Sequence, residues 1–186
     1  SMQRGNGGYD MKRVLIADDE PIERMIVTRT IQKYFPEELA VVSAVNGREA
    51  VEQFFAENCQ IALLDIEMPG MNGLEAAEQI RERDKNCSII FLTAFDEFNY
   101  AKRAIAVRAM EYLLKPVEDQ ELEAVLAEAI RIADEHTDDR EAGEKKEDEP
   151  VFAERDCHED AADTERSRIR LQAVAGNIQA FIEHNY

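Results

Sequence analysis

Five short and almost wholly apolar runs, each followed by a helix-length amphipathic stretch, constrain the fold of this chain more than anything else in it. They span residues 14–17, 39–45, 61–64, 88–92 and 112–114. Runs that are apolar on both faces are what strands of a parallel sheet look like when helices cover both sides. The stretches between them carry helix starts. Pro21 suits a first helical turn, Asn46 caps the segment that runs to Phe55, Asn72-Gly73 opens the segment to Arg83, and Asp96 is placed to cap the next. That next helix has Phe98, Ala101, Ala104 and Ile105 at helical spacing. The last, over residues 118–132, carries Leu122, Val125, Leu126, Ala129 and Ile130 on one face. Right-handed crossovers between successive parallel strands then leave an open, doubly wound α/β sheet as the natural architecture.

At 186 residues, 45% hydrophobic and 33% charged, the chain can bury one sizeable core with residues left over. Residues 1–10, with Ser1-Met2, a Gly-rich stretch and a second methionine at Met11, read as an extension ahead of a domain at 11–135. From 136 to 166 acidic residues outnumber basic ones and apolar residues are sparse, the composition of a solvated linker. Over 167–186 the spacing of Ile169, Leu171, Val174, Ile178, Phe181 and Ile182 predicts an amphipathic helix. A formal net charge of -18 opposes unaided binding to nucleic acid or an anionic membrane. No apolar run reaches the roughly 18 residues of a membrane helix. Cys59, Cys87 and Cys157 match no zinc spacing and read as reduced thiols, so a cytoplasmic protein is expected. His136, His158 and His184 have no ligand partners at metal spacing.

Asp18-Asp19, Asp65, Thr93 and Lys115 each stand at the end of an apolar run. The carboxyl ends of parallel strands converge, so these residues can share one site. Three crowded carboxylates repel one another unless a divalent cation neutralises them, and magnesium is the hard, oxygen-seeking choice. Such an ion also screens an incoming phosphoryl group, so that a carboxylate oxygen can attack phosphorus. Asp65 is the most central candidate nucleophile. Lys115 can pair with Asp65 or with phosphoryl oxygens, and the Thr93 hydroxyl can donate to a phosphoryl oxygen.

Asp18-Asp19-Glu20, the stretch Leu64-Asp65-Ile66-Glu67-Met68-Pro69-Gly70-Met71-Asn72-Gly73, Leu92-Thr93-Ala94 and Tyr112-Leu113-Leu114-Lys115-Pro116 occur in that order over about two-thirds of the chain. Together they resemble the receiver domain of two-component response regulators. The resemblance implies a flavodoxin-like (βα)5 fold with a five-stranded parallel sheet. It also implies that Asp65 is phosphorylated by the phosphohistidine of a sensor histidine kinase. Asp19 and Asp65 would bind Mg2+ directly, Asp18 through water and Glu67 through its backbone carbonyl, with Lys115-Pro116 a cis peptide. Such a domain is no enzyme in the ordinary sense, promoting only its own phosphorylation and dephosphorylation. The resemblance further implies a switch pair: Thr93 moves toward the phosphoryl group and the Tyr112 ring swings inward, re-presenting the face of the fourth helix, fifth strand and fifth helix. Glu67 and Phe95, two residues past Asp65 and Thr93, flank the route of water to phosphorus. Phe95 cannot orient a water, so slow self-dephosphorylation is expected. Arg108 departs from the pattern, since receivers usually place glycine there, at a left-handed helix end.

Residues 178–186, ending in Asn185-Tyr186, resemble the first helix of an AraC-type DNA-binding domain, and residues 95–100 resemble the receivers usually joined to that output. The expectation is therefore a transcriptional regulator cut before its helix-turn-helix units, with DNA reached only through a part this sequence does not include. A stand-alone phosphorelay receiver is the alternative. A magnesium-dependent aspartyl phosphatase would need an aspartate where Glu67 stands. Phosphorylation-promoted homodimers are expected through the re-presented face.

Overall fold

The computed structural model describes residues 11–143, with side chains through residue 137. The extension at 1–10, most of the linker, Cys157, His158, His184 and the helix expected over 167–186 lie outside the described residues. In chain order the elements are β1 (Lys12–Ala17), α1 (Pro21–Tyr34), β2 (Leu39–Ala44), α2 (Gly47–Ala56), β3 (Ile61–Leu64), α3 (Gly73–Arg83), β4 (Ser88–Thr93), α4 (Phe98–Ala106), β5 (Glu111–Leu114) and α5 (Asp119–Gly143). The five strands form one sheet in the order β2-β1-β3-β4-β5, every neighbouring pair parallel. The doubly wound sheet expected from the apolar runs is the fold observed.

Alternation along each strand divides the core in two. Leu15, Ala17, Ala62, Leu64, Ile89 and Phe91 face the layer that contains Phe54, Leu74 and Ile80 of α2 and α3. Val14, Ile16, Ile61, Leu63, Ile90 and Leu92 face the other layer, closed by Ile31 of α1 and Leu122, Leu126 and Ala129 of α5. Strand order reverses between β1 and β3, and there the crossovers leave on opposite sides and open a crevice at the carboxyl ends.

Local chemistry sets the helix starts. Pro21 occupies the first turn of α1. Asn46 accepts from the Glu49 amide, and Asn72 and Glu75 form a reciprocal capping box. The cap expected of Asp96 is not formed. The N-cap of α4 is Glu97, without a side-chain cap bond, and the Glu97 carbonyl receives the amides of Tyr100 and Ala101. Phe98 is also not a core residue, being 63% exposed, while Ala101 and Ala104 are buried.

Helix α5 continues past the expected end at Ile132 to Gly143, entering the segment read as linker. No proline stands in that stretch, and its only glycine is the terminal one. Lys12, 5% exposed at the start of β1, donates to Thr137 Oγ1 at 3.1 Å and pairs with Asp134 at 3.4 Å, which ties the extra turn to the sheet. Cys59 and Cys87 are buried free thiols pushed up to about 12 and about 11, in each case chiefly by burial. No described helix is long and apolar enough to cross a membrane.

Candidate functional site

Backbone hydrogen bonds carry the strand register one step beyond the strands and so place the site. The Asp65 amide donates to the Ala17 carbonyl at 2.8 Å, the Asp18 amide to Ala44 at 3.2 Å and the Lys115 amide to Thr93 at 2.8 Å. Each polar residue that follows an apolar run is thus delivered to the same end of the sheet. The loop after Asp65 is then pinned by Gly73, whose amide donates to the Ile66 carbonyl at 2.9 Å. A Cβ on Gly73 would stand 1.9 Å from the Asp65 carbonyl oxygen. Only glycine lets the first turn of α3 approach the site this closely.

Oxygens of Asp18, Asp19 and Asp65 lie within 4.8 Å of one another. Asp18 and Asp65 are buried, while Asp19 is exposed. Lys115 bridges the buried pair, its Nζ 2.6 Å from Asp18 Oδ2 and 3.8 Å from Asp65 Oδ2. The lysine therefore sits closer to Asp18 than to Asp65, the carboxylate with which it was expected to pair. Asp18 Oδ1 accepts the Glu20 amide at 2.9 Å, so both oxygens of Asp18 are engaged within the protein. Burial pushes the Asp65 carboxyl up to about 6; Lys115 opposes the rise, Asp18 adds to it, the Ile66 amide opposes it and Asp19 adds to it. Burial acts to lower the Lys115 ammonium, but its hydrogen bond to Asp18 and the charges of Asp65, Asp18 and Glu23 outweigh that and hold it above its ordinary value. Lys115 thus does not offset the cost of burying a carboxylate at Asp65. A hollow of about 550 Å3 opens over it, lined by Asp19, Glu23, Asp65, Glu67, Phe95 and Lys115 among others.

Thr93 is fully buried at the end of β4, and its Oγ1 accepts the Phe95 amide at 3.2 Å. Tyr112 is half-buried against Phe91, with ring centroids 6.3 Å apart, and its hydroxyl donates to the Phe95 carbonyl at 2.7 Å. Both therefore hold the β4–α4 loop that carries Phe95. The Lys115-Pro116 peptide is cis.

Three residues that fasten α3 and α4 were not singled out by role from the sequence. Gly73 is one. Tyr100 of α4 is another: its hydroxyl donates to Glu67 Oε1 at 2.7 Å, and this bond first of all pushes the phenol up to about 12. Helical spacing gives no hint of a partner so distant in the chain. The third, Arg81, is a buried arginine on α3. It donates to the carbonyls of Val107 at 2.9 Å, Cys87 at 2.9 Å and Arg108 at 3.2 Å, and burial lowers its pKa. Arg108 itself adopts a φ of 54°, the left-handed conformation in which glycine was the expected residue.

Residues 14–127 match the family model described as response regulator receiver domain. The positive alginate biosynthesis regulatory protein of Pseudomonas aeruginosa is 41% identical over 118 residues, which are 63% of this chain and 47% of that protein. The uncharacterized transcriptional regulatory protein YesN of Bacillus subtilis is 34% identical over 120 residues, 64% of this chain and 33% of that one. The chain thus spans a third to about half of the length of these relatives. Among solved structures, the response regulator protein TrrA of Thermotoga maritima in complex with Mg(2+)-BeF is 38% identical with a TM-score of 0.58, covering 64% of this chain and 99% of that one. The REC domain of AraT, a response regulator from Geobacillus stearothermophilus, is 35% identical with a TM-score of 0.62, covering 69% and 99%.

Proposed function

Because this chain belongs to the response regulator receiver family, we propose that it is the phosphoacceptor switch of a two-component system, with Asp65 taking a phosphoryl group from the phosphohistidine of a sensor histidine kinase. The observation that carries the reading is the gathering of Asp18, Asp19 and Asp65 within 4.8 Å at the carboxyl end of the sheet, with Lys115 between the two buried carboxylates. The donor set is all hard oxygen, and Lys115 does not offset the cost of burying the Asp65 carboxylate, which is the main cause of its raised carboxyl. That fits Mg2+, which Asp19, Asp65 and the Glu67 carbonyl would hold directly and Asp18 through water; bound there, it would screen the repulsion between acceptor and donor. The structure of TrrA with Mg(2+)-BeF supports the choice of ion.

The chain's own groups divide the work. An Asp65 oxygen forms the new P–O bond as the P–N bond of the phosphohistidine breaks, and the electron pair leaves on the imidazole. Lys115 shifts from Asp18 toward the new phosphoryl oxygens, which carry more charge than the carboxylate it leaves. Thr93 turns its hydroxyl toward them, giving up the Phe95 amide, and Tyr112 leaves the Phe95 carbonyl to fill the vacated space. This alters the face of α4, β5 and α5, where Phe98 is 63% and Leu114 42% exposed, a surface suited to a phosphorylation-promoted homodimer. Control of transcription would pass through an output part outside this sequence, as the regulatory relatives suggest.

Mass spectrometry after incubation with acetyl phosphate and Mg2+ tests the reading. A single phosphoryl increment on the wild type and none on Asp65→Asn is expected. An unlabelled wild type, or an equal label on the variant, would overturn it.

A further inference from the structure

Tyr100 stands in the first turn of α4 and reaches across to Glu67 in the loop after β3, donating a 2.7 Å hydrogen bond to its Oε1. Glu67 follows Asp65 by two residues and lines the same hollow as Asp65, Phe95 and Lys115. Its carboxylate is thus held toward α4 by a group from another element. From this geometry we infer that Tyr100 is a positioning residue for Glu67, and that the tether lengthens the life of a phosphoryl group on Asp65. The inference rests on the reading of Asp65 as the phosphoacceptor.

Loss of that group is a hydrolysis. A water oxygen forms a bond to phosphorus on the side away from Asp65, and the acyl phosphate P–O bond breaks. The electron pair returns to Asp65 as carboxylate, and both protons of the water leave on inorganic phosphate. The rate depends on how often a water is held on the open side. Phe95, which lines the hollow, has no polar side-chain atom with which to hold one. A carboxylate is a strong acceptor and can. Glu67 lines the hollow and is near enough to serve, but the Tyr100 hydroxyl competes for the same carboxylate and holds it toward α4. Release of the tether frees Glu67 to swing over the phosphoryl group and align water there.

Tyr100→Phe removes the hydroxyl and keeps the ring, which packs against the core. The experiment follows the decay of protein labelled with acetyl phosphate and Mg2+ after the donor is removed. It compares wild type, Tyr100→Phe, Glu67→Ala and the double variant, and records each labelling rate alongside. Tyr100→Phe is expected to decay about fivefold faster, the restraint an ordinary hydrogen bond exerts, with decay raised more than labelling. The double variant should decay as Glu67→Ala does, because without the carboxylate the hydroxyl has nothing to position. A wild-type decay rate in Tyr100→Phe would overturn the inference. So would an acceleration that persists in the Glu67→Ala background, since Tyr100 would then act through packing. A wild type that takes no label overturns the reading of Asp65, and the inference with it.

Discussion

Helices α3 and α4 follow adjacent strands and pack on the same side of the sheet, yet they are held in opposite ways. α3 begins with a complete capping box, presses Gly73 against the backbone of Asp65, and buries Leu74, Ala76, Ala77, Ile80 and Arg81. α4 begins without a side-chain cap, buries Ala101 and Ala104, and leaves Phe98 in solvent. Its carboxyl end passes into Arg108 at a φ of 54°. Two polar ties cross between them: Arg103 pairs with Glu78 at 2.8 Å, and Arg81 binds the carbonyls that follow α4. The proposed function asks for a phosphoacceptor that stays fixed and an output face that moves, and the two helices differ in packing in that sense. Small side chains and polar ties make a shift of α4 less costly than one of α3, which would carry the loop after Asp65 with it.

The most damaging way to break the contrast is at Gly73. Gly73→Ala forces a methyl into the Asp65 carbonyl and is expected to destabilise the protein by about 3 kcal/mol, read from urea unfolding. A loss below about 1 kcal/mol would mean that α3 is free to retreat. Asp65 comes next. Its folded carboxyl lies at about 6, against an ordinary 3.8, so the metal-free protein carries a penalty that is fully present above pH 6 and is relieved as pH falls from there toward 3.8. In chelator, Asp65→Asn should stabilise the protein at pH 8 by on the order of 2 kcal/mol. The gain should shrink steadily toward pH 4.5, and a gain independent of pH would show that burial of charge is not its source. The smallest effect belongs to α4. Arg108→Gly relieves a left-handed side chain and removes a charge that depresses the buried Arg81 guanidinium. A gain of about 1 kcal/mol in the same urea assay is expected; a loss would mean that the arginine side chain contributes more than its backbone costs.

The tightly packed half of the molecule was the legible half. β1, β3 and β4 announce themselves because strands covered on both faces admit little but apolar residues, and Asn46 and Asn72 mark helix starts because their caps are local. The polar residues that end the runs could be assigned to one crevice because parallel strands end together. What escaped was decided by distant partners. Asp96 looks like a cap, but the loop before α4 is arranged by Thr93 and Tyr112 instead. An arginine on α3 reads as solvent-facing until the carbonyls of Val107, Cys87 and Arg108 appear around it. The last turns of α5 have no apolar stripe to betray them, and Lys12 holds them from the other end of the domain. The bond from Tyr100 to Glu67 joins a helix to a loop, and only the fold brings them together.

Hydrogen exchange with and without beryllofluoride plus Mg2+ puts the division between fixed acceptor and yielding face to the most direct test. Peptides covering residues 95–114 are expected to change their protection, while those covering Gly73–Arg83 keep theirs. Equal changes in both, or a change confined to α3, would contradict it.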